Sequence, residues 1–267
     1  MELFERQQIA KEAKEIAHIA GEQLLYYWGK LTQVREKGFF WDLVTEADLA
    51  SEACILEQIK KRFPSHDILS EESGLYEKGE SRFKWMVDPL DGTTNYTHQY
   101  PMVSISMGLV IDGVPEIGIV YNPILQEMFE AVTGAGAFLN DKSIHVSTVS
   151  SLDRSLLATG FAYDRKETKD NNYKEFCHLT NLSQGVRRLG SAALDLAYVA
   201  AGRLDGYWER GLKPWDMAAG VVLVREAGGL VTSYESGSLD ISSGRILATN
   251  RHIHPILSRE LMIAKDR

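Results

Sequence analysis

The chain has 267 residues, 44% of them hydrophobic and 25% charged, with a formal net charge of -8. That length and balance describe a globular protein with a substantial core, organised as two domains or one large one. The acidic surplus excludes nucleic-acid binding through a broad basic surface, but it leaves open a small phosphorylated substrate wherever bound cations reverse the local charge.

The opening "MELFERQQIAKEAKEIA" is charged and amphipathic and has no apolar signal-peptide core. Apolar residues at Ile9, Ala13, Ile16, Ala17, Ala20 and Leu24 predict a helix over residues 3–28. "KLTQVREKGFFWDLVT" predicts a loop or irregular hairpin, interrupted at Gly38 by an aromatic cluster through Phe39 and Trp41. "TEAD" opens a second helix that runs to about Arg62 and is stopped by Pro64. "DILSEES" and "RFKWMVDPL" read as strands that end in acids.

From Pro101 to Val146 the sequence is β-rich, with a hairpin at Asp112-Gly113 and another at "GAGAFL". Beyond it, "SLLATG", "GVRRL", "LDGYWE", "GLVTSY" and "RILATN" read as strands. Helices are predicted at 171–182, 191–202, 216–227 and 255–264, and "DRKETKDNN" (164–172) as a polar surface loop. The alternation implies layered α/β packing in two subdomains, 1–146 and 147–267. No apolar run approaches the ~18 residues of a membrane span. Cys54 and Cys177, with no CxxC spacing, read as two buried, reduced thiols. Together these features predict a soluble, cytoplasmic protein with no nucleic-acid or membrane partner.

The stretch "WMVDPLDGTTN" (85–95) poses the chemical question. Asp-Gly alone is ordinary turn chemistry, adjacent Glu71 and Glu72 alone are a solvated loop, Asp216 in "PWDMAAG" alone is an N-cap, and Thr45-x-x-Asp48 alone is a capping box. Taken jointly, Glu71, Asp88, Asp91 and Asp216 place carboxylates at strand ends and helix starts, where loops gather. With no cysteine or paired histidine nearby, this oxygen-only set suits a hard ion such as Mg²⁺ or Mn²⁺; His98 reads as a surface or packing residue. Pro89 keeps the chain extended so that the Leu90 carbonyl can face an ion, and the Gly92 and Thr93 amides can cradle a phosphate.

Other designs fail on spacing. There is no GxxxxGK[ST] loop and no GxSxG elbow. Neither cysteine is followed six residues later by arginine, and DPLDGT is not the DxDx[TV] of aspartyl-phosphate enzymes. Water activated by metal is the better nucleophile.

The ordered set "DLVTEAD", "ILSEES", "WMVDPLDGTTN", "GSAALDLAYVAAGRLDGYWE" and "PWDMAAGVVLVREAGG" resembles the inositol monophosphatase family of Mg²⁺-dependent, lithium-sensitive phosphatases over nearly the whole chain. The resemblance implies a five-layer αβαβα sandwich, usually a homodimer, and two or three ions. By motif, Glu71, Asp88 and the Leu90 carbonyl would bind the first ion. Asp88, Asp91 and Asp216 would bind the second, and Glu71 would help hold a weaker third. The resemblance assigns Asp48 and Thr93, with Glu71, to the activation of water, and Gly92 and Thr93 to the phosphate. Gly190, Ser191, Ala192 and Glu209 match the segment contacting the inositol ring, beside Glu71, Leu90, Asp91 and Asp216 on the same substrate. Lys37 matches a lysine in a mobile loop over the site.

Two departures are visible: the loop reads "KGFFWD", unusually aromatic, and Ser191 stands where some members have threonine. The expected reaction is hydrolysis of inositol monophosphate. Fructose 1,6-bisphosphate, NADP, histidinol phosphate and 3′-phosphoadenosine phosphates are alternative substrates for the same metal site, and a non-catalytic binding protein on the same fold is the alternative outside enzymes.

Overall fold

Helix α1 (Leu3–Tyr27) buries Ala10, Ala13, Ile16, Ala17, Ala20 and Leu24, the stripe its helical spacing predicts. This computed structural model describes residues 1–37, 42–76 and 81–266; the aromatic cluster at Gly38–Trp41 lies outside the described residues. Strands β1 (Val34–Glu36) and β2 (Leu43–Thr45) pair antiparallel. Helix α2 (Glu46–Arg62) follows, with Thr45 and Asp48 closing a capping box and Lys60, Lys61 and Arg62 at its negative end.

The chain then lays down β3 (Asp67–Ser70), β4 (Gly74–Tyr76), β5 (Phe83–Asp91), the short helix α3 (Thr93–Thr97), β6 (Ser104–Ile111), β7 (Val114–Asn122), β8 (Glu127–Val132), β9 (Gly136–Leu139) and β10 (Lys142–Ser143). These eight strands form one sheet in the order β10-β9-β8-β7-β6-β5-β3-β4. Asp112 and Gly113 turn β6 into β7 with φ of 50° and 85°, the doubly positive pattern that matches the twist of a two-residue hairpin. The "GAGAFL" segment likewise turns β8 into β9.

The second half supplies β11 (Leu156–Thr159), α4 (Tyr173–Leu182), β12 (Gly185–Arg187), α5 (Ala192–Ala200), β13 (Gly206–Arg210), α6 (Pro214–Glu226), β14 (Leu230–Thr232), β15 (Arg245–Thr249) and α7 (His254–Asp266). Its five-stranded sheet runs β12-β11-β13-β15-β14. Among the described residues, the elements beyond those expected are the short helix α3, β4 and a 3₁₀ turn at Leu152–Arg154.

Five layers result. Helices α1 and α2 cover the outer face of the first sheet, α5 and α6 fill the space between the sheets, and α4 and α7 cover the second. Strand alternation assigns the faces: Ile105, Met107 and Leu109 pack under α1 and α2, whereas Tyr207, Ile246 and Ala248 face the middle layer and Trp208 and Leu247 the outer one. Helix α6 lies almost against backbone. A Cβ at Gly118 would fall 2.2 Å from the Ala219 carbonyl oxygen, and one at Gly108 would fall 2.6 Å from the Ala218 Cβ.

The cysteine expectation is corrected here. Cys177 is exposed on α4, off the face that buries Leu179, and Cys54 on α2 is only partly buried, at the edge of the core it packs against.

Candidate active site

Residues three apart on a regular strand face opposite sides of the sheet. Asp88 and Asp91 nonetheless line one cavity. Between them β5 is irregular: Asp88 pairs with Ser106 and Asp91 with Ser104, three steps on β5 against two on β6. This bulge at Pro89-Leu90 turns the second acid onto the side of the first. The Leu90 amide donates to Asp88 Oδ1 at 2.9 Å.

Glu71 follows β3 directly, and its amide still pairs with the Val87 carbonyl at 3.1 Å, which sets it beside Asp88. The Lys37 ammonium, from the β1–β2 connection, donates to Glu71 Oε1 at 2.8 Å and to Glu72 Oε1 at 2.5 Å. Asp216 occupies the third position of α6 rather than the N-cap. Lys213 is the cap residue, Pro214 opens the helix, and the Lys213 amide donates to Asp216 Oδ2 at 2.7 Å.

Asp48 stands behind this wall, 1% exposed. One oxygen accepts from Thr45, amide and hydroxyl, at 2.8 and 2.6 Å. The other accepts the Thr93 hydroxyl at 2.9 Å. The helix cap and the link to Thr93 are therefore the same carboxylate. Thr93 Oγ1 also reaches the Leu90 carbonyl at 3.2 Å, and Thr93, unlike Asp48, lines the cavity.

The opposite wall comes from the second half. Ser191 caps α5, and its hydroxyl and the Ala193 amide both donate to Asp91 Oδ2, at 2.7 and 2.8 Å. Asn95, on α3, bridges the halves by donating to the Met102 and Leu189 carbonyls at 2.6 and 2.7 Å. Glu209 is 8% exposed and takes the Tyr207 hydroxyl on Oε2 at 2.5 Å. Its neighbour Arg210 is engaged elsewhere, with Asp164.

Gly190, Ser191, Ala192, Glu209, Gly92, Thr93, Leu90, Glu71, Asp88, Asp91 and Asp216 thus line a single cavity of about 540 Å³. His98 lies outside it and is exposed. Sequence reasoning missed Asp42, Tyr163, Arg165, Arg188 and Trp215, which also line it. Asp42 opens "DLVTEAD", Trp215 precedes Asp216 in "PWDMAAG" and Arg188 stands two residues before Gly190, so these three were within reach of inspection, whereas no motif spacing marks Tyr163 or Arg165.

Electrostatics define what the cavity can accept. Among the described residues six carboxylates line it against four cations. Burial, then Glu71, Asp91 and Asp216, pushes the Asp88 carboxyl well above its ordinary range. Burial, then Asp91 and Glu71, does the same to Asp216, and burial moves Asp91 to about 6 against its bonds from Ala193 and Ser191. Carboxylates forced together in this way favour added positive charge.

Among the described residues no three such side chains close into a finished metal cage. Lys37 holds Glu71, and amides hold Asp88, Asp91 and Asp216. The donor set nevertheless fits a hard divalent cation: all oxygen, mutually repelling and facing one space.

Two mixed sheets with helices between and outside them, and an acidic cleft where strand ends meet helix starts, define a layered α/β sandwich with its pocket shared by both halves. The family model of the inositol monophosphatase family matches residues 5–264, and the chain belongs to that family. It is 59% identical over 249 residues to an inositol-1-monophosphatase from Synechocystis, covering 93% of this chain and 87% of that one. It is 45% identical over 212 residues to the Nus factor SuhB of Escherichia coli, covering 79% of each. A solved inositol monophosphatase from Anabaena (Nostoc) superposes with a TM-score of 0.89 at 55% identity, covering 96% of both chains. No helix among the described residues is long and apolar enough to cross a membrane.

Proposed function

We propose that this protein is a divalent-cation-dependent phosphomonoesterase that converts an inositol monophosphate to inositol and phosphate. The observation that carries this reading is the joint lining of one cavity by Glu71, Asp88, Asp91 and Asp216, with the Thr93–Asp48 pair on one wall and Glu209 on the other. Family membership and the 59% identical relative named inositol-1-monophosphatase support it.

Glu71, Asp88 and the Leu90 carbonyl are the residues for a first Mg²⁺, and Asp88, Asp91 and Asp216 for a second. Glu71 also serves a weaker third ion, and Mn²⁺ suits the same donors. When bound, such ions neutralise the phosphate, make water more acidic and stabilise the leaving alkoxide. The chain's own residues do the rest. When the Thr93 hydrogen is given to Asp48 Oδ1, the shorter of its two contacts, the Oγ1 lone pairs are left to accept a hydrogen bond from the attacking water. As the water oxygen bonds to phosphorus, its proton passes to Thr93 Oγ1 and the Thr93 proton to Asp48 Oδ1. The ester P–O bond breaks with its electron pair on the alkoxide. The Gly92 and Thr93 amides hold the phosphate at the start of α3.

On the far wall Glu209 accepts a ring hydroxyl beside Gly190, Ser191 and Ala192. A charge-assisted bond of this kind contributes about 1.5–3 kcal/mol. Lithium inhibition, a homodimer and a cytoplasmic location belong to the same reading.

Phosphate release from inositol 1-phosphate, fructose 1,6-bisphosphate, NADP, histidinol phosphate and 3′-phosphoadenosine phosphate, with Mg²⁺ and with a chelator, tests it. Inositol 1-phosphate is expected to give the largest kcat/KM. In Glu209→Ala that value falls roughly 10–100-fold, while glycerol 2-phosphate, which presents no ring hydroxyl, falls much less. Equal losses on both esters would remove Glu209 from ring recognition. No hydrolysis of any ester would favour a binding role, the alternative that the Nus factor relative brings into view.

A further inference from the structure

The outer wall of the cavity is one loop, residues 160–172, and it contributes Gly160, Phe161, Ala162, Tyr163 and Arg165 to the lining. It starts against Glu209: a Cβ at Gly160 would fall 2.0 Å from Glu209 Oε2. It ends at Asn172, buried with φ of 67°, whose amide group donates to Thr159 Oγ1 and the Gly160 carbonyl, both at 2.7 Å. Asn172 Oδ1 accepts the Trp208 indole N–H at 2.7 Å. The two ends of the loop are therefore closed on each other and on β13.

Its middle is held by arginines. Arg210 and Arg245 stand directly opposite each other on antiparallel β13 and β15, a like-charge pair that is unfavourable alone. Asp170 lies between them. Its carbonyl accepts Arg210 Nε, and its carboxylate pairs with Arg245 Nη2. Arg210 also reaches Asp164 Oδ1 and Oδ2 at 2.7 and 3.4 Å, with its own side chain almost fully buried. The loop supplies the counter-charge that the arginine pair requires, and the arginines in return fix the loop. Arg210 is the residue after Glu209, so one strand end carries both the ring acceptor and the anchor of the wall facing it.

We propose that Arg210 and Arg245 are positioning residues that hold loop 160–172 in place through Asp164 and Asp170, and that this clasp sets which alcohol the cavity accepts. The second clause rests on the phosphomonoesterase reading, with the wall beside Glu209 meeting the ring and the carboxylate end meeting the phosphate.

The test uses Asp170→Asn, with Arg245→Gln as a second variant that removes the same ion pair from the other side. Trypsin cuts after Arg165, Lys166 and Lys169, all within the loop. In both variants nicking at these three sites is expected to rise at least about tenfold, with the rest of the chain intact and Tm within a few degrees. KM for inositol 1-phosphate rises about five- to tenfold at kcat within about twofold, and kcat/KM for glycerol 2-phosphate stays within about twofold. Unchanged nicking overturns the clasp. Faster nicking with unchanged KM, or equal losses on both esters, overturns its role in selecting the alcohol. Wild-type protein that hydrolyses no ester of the panel above defeats the phosphomonoesterase reading, and the trypsin comparison still decides the clasp.

Discussion

The Thr93 hydroxyl donates to Asp48 Oδ1 at 2.9 Å, while Oδ2 of the same carboxylate closes the N-terminus of α2. Removing either partner separates chemistry from folding. Thr93→Ala and Asp48→Asn are expected to lower kcat about 10²–10⁴-fold, the usual range for general-base assistance. Mg²⁺ affinity, measured by calorimetry, changes little. A carboxylate that served only as a cap would cost about 1 kcal/mol of stability and leave kcat intact.

The crowded acids give a prediction on stability as well as activity. A chelator is expected to stop hydrolysis, and Mg²⁺ at about 100-fold over its Kd is expected to stabilise the fold by about 2.7 kcal/mol, seen as a rise in Tm. In chelated protein, Asp216→Asn keeps an acceptor for the Lys213 amide and removes one repelling charge, so its Tm should exceed that of the wild type. With Mg²⁺ the same variant is inactive and gains less from the ion. A lower Tm for chelated Asp216→Asn would mean that the acids are not in conflict.

His66 supplies a pH test remote from the chemistry. It stacks between Phe63 and Phe83 at 5.1 and 4.6 Å and accepts the Trp85 indole N–H on Nδ1 at 3.1 Å. Burial lowers its pKa to about 4, with Asp67 opposing. The folded value lies below the unfolded one, so this contribution is fully present above about pH 6.5 and is lost as pH falls towards 4. The Tm difference between wild type and His66→Gln, which keeps an acceptor for Trp85, should therefore shrink as pH drops from 7.5 to 4.5. A difference independent of pH would contradict the lowered value.

Gly118→Ala tests the coupling of packing to the site. The added methyl would fall on the Ala219 carbonyl, so α6 and β7 must move apart, at the 1–3 kcal/mol typical of overpacking. Because α6 carries Asp216, affinity for the divalent ion should fall together with Tm. A stability loss with unaltered ion binding would show that the shift is absorbed before it reaches the helix start.

Much of this was legible in the sequence because the relevant signals are local. The α1 stripe, the Asp112-Gly113 hairpin and the strand ends at "SEES" and "WMVDPLD" each follow from residues close in the chain, and the acids among them met in one cavity. What was not legible depends on distant approach. Asp195 sits in an otherwise apolar helix, buried, with Oδ1 lacking a hydrogen-bond partner; its neighbours Glu209 and Asp91 come from other strands. Arg210, adjacent to Glu209 in the chain, is drawn instead to Asp164 and Asp170, in a loop that the sequence marks only as polar surface. Cys177 was misjudged because residue type was weighed without its place on the helix.

The bridge from Asn95 to Leu189, and from Ser191 and Ala193 to Asp91, bears on the order in which the molecule assembles during synthesis. A nascent chain that has emerged only through β10 already carries Glu71, Asp88 and Asp91, but it has neither the helix start that steadies Asp91 nor Asp216. The residues proposed for the first ion, Glu71, Asp88 and the Leu90 carbonyl, all lie in that segment, as does the Lys37 ammonium resting on Glu71 and Glu72. The set proposed for the second ion is completed only by Asp216 at the start of α6. Filling of that second position would therefore report that both halves have docked.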